Sequence, residues 1–411
     1  MTLSRRALIA TGVVAPLLPA SRLRAQSGGR GASIRIGVLT DLSGVYQDNS
    51  GRTSVACAQQ AAAEFAASSG LQVEVLSADH QNKADVGASI VRQWFDRDGV
   101  DVVMDVPNSA VALAVSAICR EKDKVFIASQ AATTALTGEQ CSPNTLQWTY
   151  DTYMLARSNG GATVKAGGDT WFIIAADFAF GRVLNDEASA VVQAAGGKVL
   201  GSAFYPSPGT TDFSSLLLQA KASGAKVLAF ANAAAETVNC VKQAQEFGLT
   251  ASMRIAALLM YVTDVHALGL DAAQGLTLTE TFYWDLNDRT RAFTRRVLPR
   301  TPTNYPNMGQ AGCYSGALHY LKAAAAMGVA DAKRSGKAAV DRMKAMPTDD
   351  DAFGPGEVRA DGRVLHPAYL FRAKTPAESK GPWDLLSLVD TTPGNQAFRP
   401  MSEGRCPLVR A

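Results

Sequence analysis

The sequence predicts an α/β fold of two Rossmann-like, doubly wound lobes joined by a hinge of several chain crossings. Three observations predict it. Short β-branched runs alternate with helical stretches along most of the chain, the pattern of parallel sheets built from strand–helix–strand units. That pattern runs once to about residue 148 and then starts again. A length of 411 residues accommodates two domains of ordinary size.

The first unit opens with Ile34-Arg35-Ile36-Gly37-Val38-Leu39 and turns at Asp41-Leu42-Ser43-Gly44. A helix is predicted over 51–67, because Val55, Ala58, Ala62 and Phe65 recur at helical spacing. A strand at 73–77 precedes a helix over 84–97, with Val86, Ile90, Val91 and Trp94 on one face. A strand at 100–104, a helix over 109–121 and a strand at 125–128 complete the unit. The second unit has strands at 171–175, 198–202, 226–230 and 254–258, with helices over 180–195, 213–223 and 237–247. Past Gly275 the order changes to one strand, three helices and two late strands near 356–359 and 365–371. The chain is expected to cross near 148–151 and to return twice. Lobe one is then 33–148 plus 275–350, and lobe two is 149–274 plus 351–411.

Open parallel sheets bind ligands beyond the carboxyl ends of their strands. The loops at 41–46, 105–109, 129–134, 177–181 and 231–236 therefore carry the candidates: Tyr46, Asn108, Ser109, Gln130, Ala131, Thr133, Phe180, Asn232 and Glu236, with Tyr150 at the crossing. Each has a plainer reading. Ser109 and Thr133 suit helix caps, and Glu236 suits a first-turn acid facing the helix dipole. Of Phe178 and Phe180, one is expected in the core and one in the cleft. Tyr46, Trp148, Tyr150, Tyr283 and Trp284 are either cleft walls or core.

Composition and motifs exclude other classes. A net charge of +3 with no basic stripe of interleaved aromatics argues against nucleic acid. Neither Gly-x-Gly-x-x-Gly nor a P-loop occurs, and no Gly-x-Ser-x-Gly elbow supports a hydrolase. His80, His266, His319 and His366 lack metal-ligand spacing. Neither cofactor nor enzymatic activity is expected.

The first residues read as an export signal over 1–25. Arg5 and Arg6 precede an apolar run over 7–18, and Ala20 and Ala25 supply small cleavage positions. The run is shorter than the roughly 20 residues that span a bilayer. Ser4-Arg5-Arg6-Ala7-Leu8 fits the twin-arginine route to the periplasm. Six cysteines follow, none in Cys-x-x-Cys spacing. Cys119 and Cys141 flank the 125–128 strand, and a disulfide between them is expected in an oxidising compartment. The pairing of Cys57, Cys240, Cys313 and Cys406 is left open, since sequence does not set connectivity.

Four strings carry a family resemblance in order along the mature chain. They are Gly37-Val38-Leu39-Thr40-Asp41-Leu42-Ser43-Gly44, Ala128-Ser129-Gln130-Ala131-Ala132-Thr133, Asp177-Phe178-Ala179-Phe180-Gly181 and Lys242-Gln243-Ala244-Gln245-Glu246-Phe247-Gly248-Leu249. Together they resemble the branched-chain amino-acid-binding family of periplasmic proteins. The resemblance implies a type I periplasmic-binding fold and delivery of a small-molecule ligand to the membrane permease of an ABC transporter. It implies that Ser109, Ala131 and Thr133 hold a carboxylate, that Phe180 covers the ligand from lobe two, and that Glu236 holds an ammonium. Three departures stand out. Gln130 replaces the usual Pro, Phe180 stands where Tyr is common, and 105–108 lacks the Gly-rich form of amino-acid binders. That loop looks more like subgroups taking aromatic acids or other carboxylates. The expectation is a monomeric periplasmic substrate-binding protein that captures a small carboxylate, an amino acid or an aromatic acid, between its lobes. The alternatives are the ligand-sensing domain of a receptor system or, further off, a hydrolase.

Mass spectrometry of the exported protein should find its N-terminus near Gln26; a periplasmic form beginning at Met1 would refute the signal.

Overall fold

The computed structural model describes residues 33–301 and 303–409; the segment read as a signal lies outside the described residues. The first lobe is a parallel sheet of β1 (Ser33–Thr40), β2 (Gln72–Asp79), β3 (Val102–Asp105), β4 (Val125–Ala128) and β5 (Thr145–Gln147) in the order β2-β1-β3-β4-β5. Helices α1 (Gly51–Ser69), α2 (Ala84–Gln93) and α3 (Ser109–Glu121) connect them. Every residue of β3 and β4 is buried, as expected where helices cover both faces of a parallel sheet.

The second lobe begins with α4 (Thr152–Lys165) and continues as β6 (Thr170–Ala176), α5 (Ala179–Ala194), β7 (Lys198–Tyr205), α6 (Ser214–Ala222), β8 (Val227–Ala231), α7 (Ala234–Glu246), β9 (Arg254–Ala257), α8 (Val262–Leu268), α9 (Leu270–Ala273) and β10 (Thr277–Glu280). Its parallel strands run β7-β6-β8-β9-β10, the same order as in the first lobe. Helices α10 (Asp288–Val297), α11 (Met308–Met327), α12 (Val329–Arg334) and α13 (Gly336–Lys344) follow, and α11 packs on α1. A small antiparallel sheet of β11 (Thr348–Asp350), β12 (Gly354–Val358) and β13 (Val364–Leu365) comes next. Then β14 (Ala368–Ala373) and β15 (Leu386–Thr392) add antiparallel strands beside β10. The short α14 (Gly394–Ala397) packs on α4.

The structure corrects three expectations. The return to lobe one does not fall at 275: β10 pairs with β9 and β14, so it belongs to the second sheet. Nor does lobe two resume at 351. The small sheet docks on lobe one through the Gln147–Arg363 bridge and the Gln147 N–H to Gly362 carbonyl bond. Third, the disulfide joins Cys141 to Cys406, with Cα atoms 5.6 Å apart, not to Cys119. Cys119 lies on the buried face of α3, near the carbonyl of Val125, whereas Cys141 lies in the loop before β5 and meets the C-terminal tail. Cys57, Cys240 and Cys313 are free and buried. Chain proximity favoured 119 with 141, but helix phase turns Cys119 inward.

One local constraint places a cleft residue. Helix α5 starts so close to the end of β6 that a side chain at Gly181 would run into the Ala176 backbone. Gly181→Ala should lower unfolding stability by roughly 1–3 kcal/mol, the usual range for overpacking, measured by urea denaturation; wild-type stability would refute the close approach.

Candidate ligand-binding site

Strand order places the crevice. In an open sheet ordered 2-1-3-4-5, chain direction switches beside the first strand, and ligands sit there beyond the strand ends. Both lobes have that order, and their switch points supply the pocket. After β1 comes Tyr46, after β3 Asn108 and Ser109, and after β4 Gln130 and Ala132. From lobe two come Phe178 and Phe180 after β6, Ala233 after β8, and Leu259 and Tyr261 after β9. The inner chamber holds about 30 Å³. An outer chamber of about 210 Å³ shares Tyr46, Asn108, Phe178 and Ala233 with it and is bordered by Ser207 and Glu236.

The lining positions are helix starts. Asn108 is the N-cap of α3, its Oδ1 accepting from the N–H groups of Ala110 and Val111 at 2.9 and 3.2 Å. Ser109 is thus the first helical residue and not the cap. Phe178 precedes α5 and Ala233 precedes α7, neither helix having a side-chain cap. Unpaired first-turn N–H groups and the helix dipole make such ends receptive to anions. Tyr46, Phe178 and Tyr150 add aromatic wall, and the Phe178 and Phe180 rings lie 5.8 Å apart.

Across the inner chamber the lobes are tied by neutral polar groups. The Tyr150 and Tyr261 hydroxyls bond each other. Tyr261 also donates to Gln130 Oε1 at 3.1 Å, and Gln130 Nε2 donates to the Asn49 carbonyl at 2.5 Å. Gln130 can lie there because α11 presents Gly309, where any side chain would strike the Gln130 carboxamide. Asn49 Nδ2 donates to Asp264 Oδ2 at 3.3 Å, and Thr263 Oγ1 to Asn49 Oδ1 at 3.1 Å. Burial pushes the phenols of Tyr46, Tyr150 and Tyr261 above their usual range, so they remain neutral donors.

The loop after β3 is strained. Asp105 and Val106 have φ of 80° and 61°, a left-handed conformation costly for a β-branched residue. The Asp105 carboxyl is fully buried, with Ser129 Oγ at 3.4 Å and its second oxygen unpartnered. Burial pushes its pKa up to about 7, against hydroxyl donors that pull it down.

Six expected residues line the inner chamber: Tyr46, Asn108, Ser109, Gln130, Tyr150 and Phe180. Four do not. Ala131 is buried and spends its carbonyl on Gln147 Nε2 at 2.9 Å, while its neighbour Ala132 lines the pocket. Thr133 caps the turn that follows it, accepting from the Ala135 N–H at 3.2 Å. Asn232 is core: it donates to Tyr205 and Cys240 and accepts from Thr237. Glu236 borders only the outer chamber, and its two oxygens are taken by Tyr205 and Ser207 at 2.9 Å. Burial raises its pKa and the two hydroxyls lower it again in part. Trp148 and Tyr283 are core and Trp284 is half-buried against it, their polar atoms spent on Ser315 or on the Trp383 carbonyl. Asn49, Ala132, Phe178, Leu259 and Tyr261 were not among the expected ligand residues. Tyr261 was signalled by the strand ending at 258, whose following loop has the same claim as the other five.

Among the described residues no cluster of His, Cys, Asp or Glu is arranged to hold a metal ion, and no helix is long and apolar enough to cross a membrane.

Comparison with known proteins agrees with this geometry. A family model described as periplasmic binding protein matches residues 33–382. The chain belongs to the periplasmic binding protein family. Its type I fold recurs in a periplasmic binding protein from Burkholderia mallei, 43% identical, with a TM-score of 0.86 over 92% of this chain and 100% of that one. A branched-chain amino acid ABC transporter periplasmic ligand-binding protein from Burkholderia xenovorans LB400 is 38% identical, with a TM-score of 0.83 over 91% and 99%. A solute-binding protein from R. palustris, solved with 4-hydroxybenzoate, is 18% identical, with a TM-score of 0.79 over 89% and 98%, and shares the fold. None of the curated proteins matches.

In this binding protein Asp105 keeps its proton to about pH 7, whereas the unfolded chain loses it near 3.8. The folded state therefore holds the extra proton between those values. The resulting stability is fully present below the lower one and is lost as pH rises through the upper. Relative to Asp105→Asn, the wild type should lose stability between about pH 4 and 7, by no more than about 4 kcal/mol. Thermal melts of both proteins across that range should converge or cross; parallel curves would refute it.

Proposed function

We propose that the chain is the substrate-binding component of an ABC importer, that it works outside the cytoplasmic membrane as a monomer, and that its ligand is a small aromatic carboxylate. The observation that carries this reading is the pocket: aromatic walls, no charged side chain in the inner chamber, and the starts of α3, α5 and α7 converging from both lobes. Helix-start N–H groups and the Ser109 hydroxyl can replace the water around a carboxylate with directed bonds. Tyr46 and Phe178, which border both chambers, can pack against a ring. An amino acid would also need a partner for its ammonium. Of the residues lining the two chambers the one acid is Glu236, and it already has both oxygens bonded within its own lobe. R. palustris proteins of this fold hold benzoate and 4-hydroxybenzoate, so the architecture can enclose such ligands. Delivery to a membrane permease, and export by the twin-arginine route, belong to the same reading.

A second reading, a branched-chain amino acid ligand, is favoured by the 38% identical protein from Burkholderia xenovorans LB400.

Titration calorimetry with benzoate, 4-hydroxybenzoate and leucine separates them. The aromatic acids should bind and leucine should not. Phe178→Ala should weaken aromatic binding roughly tenfold or more, in line with an aromatic contact plus its buried area. Thr133→Val and Glu236→Gln should leave it near the wild-type value. Leucine binding that collapses in Glu236→Gln would establish the second reading, and unchanged affinity in Phe178→Ala would remove this pocket as the site.

A further inference from the structure

Three segments carry the main chain between the lobes: 148–151, the stretch from β10 to α11, and the two residues from β13 to β14. We propose that residues 398–406 form a fourth, disulfide-anchored tie that stops the lobes from opening beyond a set width. This goes beyond the identity of the ligand and concerns the motion that admits it.

The tie is anchored at both ends. At the lobe-two end Arg399 pairs with Glu187 of α5 and lies over the Tyr153 ring of α4 at 5.3 Å. At the junction itself Phe398 is buried against Arg363 of the small sheet on lobe one, 4.3 Å from its guanidinium carbon, and the Arg399 carbonyl accepts from Arg359 at 2.8 Å. At the lobe-one end Cys406 is bonded to Cys141, in the loop that leads into β5. Between the anchors the chain makes one short turn at Met401–Glu403. The tail also walls a groove of about 340 Å³ together with Thr133 of lobe one and Val183 of α5. Thr133 is next to Ala132, and Val183 is one turn beyond Phe180; Ala132 and Phe180 line the ligand pocket. The groove is therefore the outer edge of the cleft, and opening the cleft draws Thr133 and Val183 apart underneath the tail.

The length of the tail sets the limit. From Arg399 to Cys406 a fully extended chain reaches at most about 25 Å, at 3.3–3.6 Å per residue. The turn at Met401–Glu403 holds part of that length in reserve, so the tail permits partial opening and then becomes taut. The covalent bond makes the stop durable, since hydrogen bonds and the exposed Arg405–Glu139 ion pair at the same end would yield to a hinge motion.

Small-angle scattering of the ligand-free protein tests this without knowledge of the ligand. A Cys141→Ser/Cys406→Ser double variant should show a larger radius of gyration and maximum dimension than the oxidised wild type. Wild-type protein reduced with dithiothreitol should show the same shift, so the outcome does not depend on the variant folding. Non-reducing peptide mapping verifies the bond in the first sample and its loss in the others. A lowered melting temperature with unchanged scattering would assign the disulfide a purely structural role and overturn the proposal. So would a map in which Cys141 and Cys406 are not linked in the wild type.

Discussion

A guanidinium with no exposed atom sits where the two lobes are joined. Arg363 donates to its neighbour Val364 at 3.1 Å and to the Tyr150 carbonyl at 3.2 Å, lies 3.6 Å from the Asp151 carboxylate, and packs beneath Phe398. One side chain therefore touches the first crossing, the approach to the last crossing and the C-terminal tail. Burial works against both members of the pair, bringing the guanidinium down to about 10 and raising the Asp151 carboxyl. Each stays charged because of the other, and removing either would strand a buried charge. Asp151 is committed twice, since it also caps α4 through the Met154 N–H at 2.8 Å. A lysine could not fill this place, because a point charge lacks the flat, forked donor set that meets a carbonyl, a carboxylate and a ring together.

That arrangement fixes the backbone of Tyr150, whose hydroxyl sits in the inner chamber. From there the polar network spreads outward through Tyr261, Gln130 and Asn49. Every member is neutral except Asp264 at its edge, whose pKa burial pushes up to about 6. A neutral network suits a surface that must part and close again, since separating hydrogen bonds exposes no bare charge to an apolar wall. Ion pairs lie away from this network, at the Arg363–Asp151 junction and on the outside of α1 and α10, where Arg296 meets Glu64 and Asp351.

How much of this the sequence disclosed depended on range. Alternating β-branched runs and helical periods report local structure, so both parallel sheets and their crossing near 148–151 were legible. Strand-end logic also brought Tyr46, Asn108, Ser109, Gln130 and Phe180 to the chamber wall, because it needs only the end of each strand, and the crossing brought Tyr150. Choices one residue apart were not legible. Ala131 and Ala132 are identical in type, and what separates them is tertiary: the Ala131 carbonyl bonds Gln147 and the Ala132 carbonyl bonds the Thr152 N–H. Asn232 looked like a loop amide until the fold supplied Tyr205, Thr237 and Cys240 as partners. The Cys141–Cys406 bond spans 265 residues, and no local pattern reports a contact at that separation. Strand β10 misled for a related reason: its sequence announces a strand and not which sheet it joins.

The repeated strand order has an electrostatic consequence. Each lobe directs helix starts at the same space, α3 from one side and α5 and α7 from the other, and each start carries roughly half a positive charge. Like poles face each other across the cleft, so bringing the lobes together around a neutral molecule does work against their mutual repulsion. An anion of suitable shape changes the sign of that work, because both poles then attract the same object between them. Selection in such a cleft need not reside in any single contact. A neutral ring of the right outline could enter and touch every wall, yet leave the two halves pushing apart.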